Sequence, residues 1–141
     1  MSEVRERVEA ELENIERVVA ELPGNDSLSN LSSLELAGVA ALIHNFYNGI
    51  ENILKQLVIW RGEEMPQNSL WHRDLVNIAT SKNMISEQTA EELRRYLAFR
   101  HFFSHGYSFD LDKERILPLV KDIERILASF KDDINETLKG T

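Results

Sequence analysis

The chain has 141 residues, of which 43% are hydrophobic and 28% charged, with a formal net charge of −8 and no cysteine. This length suffices for one domain with a real core, and the composition excludes a disordered polymer. Lack of cysteine excludes disulfides, thiolate metal sites and cysteine nucleophiles, and the acidity argues against a long electrostatic grip on nucleic acid, leaving room for a small basic pocket.

The opening segment MSEVRERVEAELENIERVV is charged and amphipathic, unlike a secretory signal. Its spacing predicts a helix over residues 2–22, with Val4, Val8, Leu12, Ile15, Val18, Val19 and Leu22 on one stripe and Pro23-Gly24-Asn25 as its stop. A second helix is predicted over 32–60, carrying Leu34, Ala37, Ala41, Phe46, Ile50, Ile53, Leu54 and Leu57. Its middle is apolar on most sides, which suits a central helix packed by several neighbours. Gly38 and Gly49 lower its helix propensity but permit close helix–helix approach. Residues 61–69 read as a loop broken by Gly62 and Pro66, and a short helix over 70–80 follows.

Ser86 reads as the N-cap of a helix over 87–105, with Gln88, Glu91 and Glu92 near its positive end and Gly106 as its C′ residue. A last helix starts after Asp110 or Asp112 and runs to about residue 139 on a stripe from Ile116 to Leu138; Pro118 is tolerable near its first turn or as a kink. No apolar run approaches the ~18 residues of a membrane span. The expectation is one all-α domain over residues 1–141, an antiparallel bundle of four long helices plus a short one, cytoplasmic and without membrane contact.

Phosphate-cradling GxxxxGK[ST] and GxGxxG loops are absent, as are HExxH and paired-cysteine patterns, so no cofactor is expected. His101 and His105 have a metal-compatible spacing but no third ligand beside them, and no metal is expected. Ser104 and His105 are adjacent, so their side chains diverge by about 100° and make no nucleophile–base pair. What stands out is the stretch RHFFSHGY, residues 100–107. Arg100 and His105 project about 140° apart on a helix, so one copy does not bring them to a single face, whereas two copies about a twofold axis can. Phe99, Phe102, Phe103 and Tyr107 would supply the apolar contact of such an interface. Arginine suits a phosphate and histidine moves protons near neutral pH. Together they suffice for metal-free RNA cleavage by attack of the ribose 2′-hydroxyl, which DNA lacks. Spacing alone leaves open the plainer reading of solvated charge or an ordinary interface pair.

The pattern R-x4-H-x-Y, formed by Arg100, His105 and Tyr107, resembles the signature of HEPN-domain ribonucleases, in particular the HepT toxins. The flanks agree: the motif ends the penultimate long helix, a turn bearing Asp110 and Asp112 follows, and NFYNGIENILKQL at residues 45–57 resembles the second helix of one HepT-like subgroup. The resemblance spans roughly residues 30–130. It implies a metal-independent endoribonuclease toxin with its cleft between two subunits of a homodimer, higher oligomers being left open. Arg100 would hold the scissile phosphate and His105 would transfer protons, both as catalytic residues. Tyr107 would accept AMP from an MntA-type minimal nucleotidyltransferase antitoxin, the tethered anion then blocking the cleft to RNA; the alternative for Tyr107 is an aromatic cap at the interface.

His101 is either an RNA-binding residue or solvated, and Ser104 either bonds Arg100 or sits on the surface. Tyr47, Asn48 and Glu51 either line the cleft or form an interhelical network. Arg94 and Arg95 read as a solvated face, and His44 and His72 carry no readable signal. The first helix, its Pro-Gly break and the serine-rich linker depart from the commonest HepT pattern. The rival expectation is a non-catalytic helical adaptor that docks a nucleotidyltransferase.

Overall fold

The computed structural model describes residues 2–24, 26–104 and 112–139. Five α-helices carry the fold: α1 (Ser2–Ala20), α2 (Ser33–Trp60), α3 (Trp71–Ser81), α4 (Glu87–Ser104) and α5 (Lys113–Lys139). Among the described residues there is no strand. The bundle therefore has the four long helices and one short helix that the apolar periodicities predict and, in the serine-rich linker, a 3-10 turn, Leu28–Asn30.

Local chemistry sets the ends of these helices. The Ser32 hydroxyl accepts from Glu35 N–H while the Glu35 carboxylate accepts from Ser32 N–H, a reciprocal capping box at the start of α2. The Ser86 hydroxyl accepts from Thr89 N–H at 3.1 Å, as its N-cap reading requires. Asp112 does the same for α5, accepting from Glu114 N–H at 2.9 Å. α1 stops two residues earlier than the stripe suggests, because Glu21 and Leu22 tighten into bonds from their N–H groups to the carbonyls of Val18 and Val19.

α2 and α3 end in the same way. Gly62 has φ 80°, and its N–H and that of Glu63 reach back to the carbonyls of Ile59 and Val58. Asn83 has φ 58°, and its N–H and that of Met84 reach the carbonyls of Thr80 and Ala79. Both are Schellman locks with the left-handed residue at C′. The following Met84 is buried.

α2 is the central helix and touches each of the other four. Its residues Phe46, Tyr47, Ile50, Ile53, Leu54 and Leu57 are wholly buried. Gly49 is where α1 comes closest: a Cβ built there would lie 2.5 Å from Cγ1 of Ile15. Gly38 has no such role, since nothing lies within 4 Å of its Cβ position. Leu34, expected on the apolar stripe, is 85% exposed; it sits in the first turn of α2, beyond the reach of the packed neighbours.

Outside the apolar core, Glu92, Arg95, Asp122 and Arg125 form an ion-pair network between α4 and α5. The buried Tyr96 hydroxyl donates to the Leu119 carbonyl. Thr137 donates to the Met84 carbonyl at 2.7 Å, fixing the end of α5 to the α3–α4 turn. Pro118 lies in the second turn of α5 rather than the first; there it removes only the bond to the Glu114 carbonyl.

Candidate active-site groove

Arg94, Leu97, Ala98 and His101 follow one another at steps of three, four and seven along α4, so they share one face. Together with Ser69, Leu70, His72 and Arg73 from the start of α3, they enclose an open groove of about 470 Å³, which Arg100 also lines. Arg100 projects about 60° beyond Leu97 around the axis, and its Nε is buried with no hydrogen-bond partner. Among the described residues no carboxylate pairs with its guanidinium, whereas Arg94 bonds Glu87 and Asn77 and Arg95 bonds Glu92 and Asp122. Among the described residues the groove wall holds three arginines and two histidines and no acidic residue. That is a sharp contrast with a chain carrying 24 acidic residues, and with the groove between α4 and α5, which Glu92, Asp132 and Asp133 line.

Behind Arg100, α2 presents His44, Tyr47, Asn48 and Glu51 on a single face, again at steps of three, four and seven. Glu51 is buried, yet both of its oxygens lie 2.9 Å from Nδ1 of His72, which donates to them. The Tyr47 hydroxyl meets no partner in bonding geometry, although burial, first, and the nearby Glu51 carboxylate push its ionisation well above the ordinary tyrosine range. His44 packs on Phe103 with ring centroids 5.2 Å apart. Its Nδ1 lies 3.4 Å from the Asn48 amide nitrogen, and its Nε2 is buried without a partner. Burial holds its pKa below the ordinary histidine value, the Arg100 charge lowers it further, and Glu51 opposes them. The cluster thus places a neutral imidazole, a phenol and a carboxylate behind a guanidinium that no acid among the described residues neutralises.

Of the residues singled out from sequence, Arg100 stands in the groove wall, and His101 is exposed at the same groove. Ser104 is exposed, and no hydrogen bond joins it to Arg100 among the described residues. His105, Gly106, Tyr107 and Asp110 lie outside the described residues. Phe99 and Phe103 stack on each other at 5.9 Å within the chain, while Arg115 lies 5.1 Å over the Phe102 ring. Of the alternatives for α2, the interhelical one is met by Glu51, which bonds His72. Tyr47, Asn48 and Glu51 are not among the described residues that line the groove, and Tyr47 is buried near Arg100 with its hydroxyl unsatisfied.

The family model for HepT-like proteins matches residues 38–141. The chain belongs to this family. No curated protein and no solved structure matches it. The HepT-like match begins within α2, so α1 and the linker, where the sequence departs from the common HepT pattern, fall before it. All residues of the groove and of the cluster behind it lie inside the HepT-like part. Sequence reasoning passed over His44 and His72. His44 was legible as the first member of the polar face completed by Tyr47, Asn48 and Glu51, but His72 finds its partner only when α3 folds onto α2.

Proposed function

We propose that the protein is a metal-independent endoribonuclease toxin acting as a homodimer, neutralised by a nucleotidyltransferase antitoxin that transfers AMP to Tyr107. The observation that carries this reading is Arg100: an arginine without an acidic partner among the described residues, lining a cationic groove of an acidic chain, in a HepT-like protein. A guanidinium left unneutralised is free to bind a phosphate through paired N–H donors. In the proposed reaction Arg100 stabilises charge on the phosphate as the ribose 2′-hydroxyl attacks it, and His105 transfers the proton. The attack forms a 2′,3′-cyclic phosphate and releases the 5′-oxygen of the next nucleotide, which takes up a proton.

The test is incubation of the purified chain with total RNA in EDTA. Fragments ending in 2′,3′-cyclic phosphate, lost on Arg100→Ala and on His105→Ala, are expected. Cleavage that survives both substitutions removes the catalytic assignment, and inert RNA beside a stable nucleotidyltransferase complex favours the adaptor. Intact mass after co-expression with the antitoxin tests the regulation, the expected gain being one or more AMP units abolished by Tyr107→Phe.

A further inference from the structure

We infer that the groove between α3 and α4 is a subsite for one nucleotide of single-stranded RNA beside the scissile phosphate, with Arg73 and Arg94 as its phosphate contacts; this rests on the role proposed for Arg100. Three observations lead there. The groove is about 470 Å³, within the ~300–1,000 Å³ of pockets that enclose small organic ligands, and so large enough for a nucleoside. Its wall is mixed, with Leu70, Leu97 and Ala98 offering an apolar surface for a base, Arg73 and Arg94 offering charge and His101 a polar ring. Its lining also runs along the helix rather than around one point: Arg94 and His101 are separated by about 10 Å along α4, the spacing of an extended ligand rather than a single anion.

The groups facing the groove are built into the fold. Arg94 is steadied by Glu87 and Asn77 through bonds of 3.1 Å each. The His72 ring is fixed by Glu51 through Nδ1, which leaves Nε2 as the ring nitrogen available to a ligand. Among the described residues Arg73 meets only Asp74, at 3.4 Å and on the exposed side, and an exposed pair of this kind holds its arginine weakly. Among the described residues the wall itself holds no acidic side chain, the carboxylates of Glu87 and Asp74 pairing with Arg94 and Arg73 from outside it. A strand passing Arg100 and continuing along α4 would meet Arg94 and Arg73 in turn.

The experiment uses the full chain and a fluorescent single-stranded oligonucleotide carrying 2′-O-methyl riboses, which cannot be cut by 2′-hydroxyl attack. Leu70 is 49% exposed, so Leu70→Asp and Leu70→Asn are tolerated alike and differ only in charge. Leu70→Asn, which removes apolar contact with the base, is expected to weaken binding a few-fold and Leu70→Asp about tenfold, since only the latter also sets a carboxylate against phosphate. Arg73→Ala is expected to lower the slope of log affinity against log salt by about 0.7, the signature of one lost phosphate contact. Affinity unchanged in Leu70→Asp and Arg73→Ala, with RNA cleavage still dependent on Arg100, overturns the subsite alone. Absence of both binding and cleavage in the parent chain overturns the subsite together with the proposed activity. Loss of polyglutamate binding in Leu70→Asp, with RNA binding intact, also counts against it and reassigns the groove to an acidic protein segment.

Discussion

Both carboxylate oxygens of Glu51, on the buried face of α2, lie 2.9 Å from Nδ1 of His72 on α3. A short helix with few core residues is thereby pinned to the central helix by a charge-assisted bond, at the point where α3 forms one wall of the groove. Removing His72 leaves the Glu51 carboxylate buried and unpaired, and removing Glu51 leaves the half-buried His72 ring without its partner, whereas replacing both removes the need for the bond. His72→Phe is expected to cost about 2–3 kcal/mol, and Glu51→Leu a similar amount. The double variant should cost well below the sum of the two singles, with a coupling of about 1.5–3 kcal/mol. Urea unfolding of the four proteins measures it.

Gly49 sets the distance between α1 and α2. A methyl there meets Ile15 Cγ1 at 2.5 Å and Cδ1 at 2.9 Å, and a β-branched side chain on a helix has no other rotamer to retreat to. Although alanine is the better helix former by about 1 kcal/mol, the overpacking is expected to win, with Gly49→Ala destabilising by about 1–2 kcal/mol net. Ile15→Ala removes the clash, so the pair of substitutions should cost less than the two singles added. Thermal melts of all four chains decide the matter.

Asn83 occupies a left-handed position that glycine fills at the equivalent place after α2. Asparagine tolerates this backbone through its short polar side chain, and a β-branched residue does not. Asn83→Gly is expected to be neutral or slightly stabilising, and Asn83→Val to cost about 1–2 kcal/mol. Gly62→Val should cost at least as much. Denaturant midpoints of the three variants test whether the two locks behave alike.

The helices were legible because their apolar stripes repeat at helical period and their ends carry local signals. Ser86 and Asp112 cap through their own side chains, and Gly62 turns because no Cβ opposes it. Leu34 was misplaced because periodicity tells which face a residue shares, while only packing tells how far along the helix that face is covered. The groove follows the same logic. Arg100 was visible as part of a motif, but its lack of an acidic partner is a property of the folded neighbourhood. Arg94, read as solvated, became part of the groove wall only because α3 lies across from it. His72 carries no local pattern at all, its partner being 21 positions away.

Arg100 is proposed to act through the shape of its guanidinium and not through charge alone. Lysine keeps the charge but offers a point ammonium in place of a planar fork. Arg100→Lys is therefore expected to retain binding of uncleavable RNA within about fivefold while reducing single-turnover cleavage by about 10²-fold, in the range for loss of a transition-state donor. Equal losses in binding and cleavage would mean that the residue contributes ground-state attraction only.

His44 supplies an acid-sensitive element behind that arginine. Its folded pKa is held down by burial and by Arg100, against an opposing Glu51, so the unfolded chain takes up this proton first as pH falls. In the linkage relation, stability then rises with pH wherever the unfolded state binds more protons. The loss begins as pH drops through the ordinary histidine value, about 6.5, and levels off only below the depressed folded value. His44→Phe keeps a ring against Phe103 but cannot be protonated. The difference in urea midpoint between parent and variant should therefore shift in favour of His44→Phe on going from pH 7.5 to pH 5. Arg100→Ala, by removing one of the two causes, should shrink that acid penalty without abolishing it, because burial remains. A parent whose stability relative to His44→Phe is the same at both pH values would show that the imidazole takes up its proton as readily folded as unfolded, so that Glu51 offsets the lowering by burial and Arg100 in full.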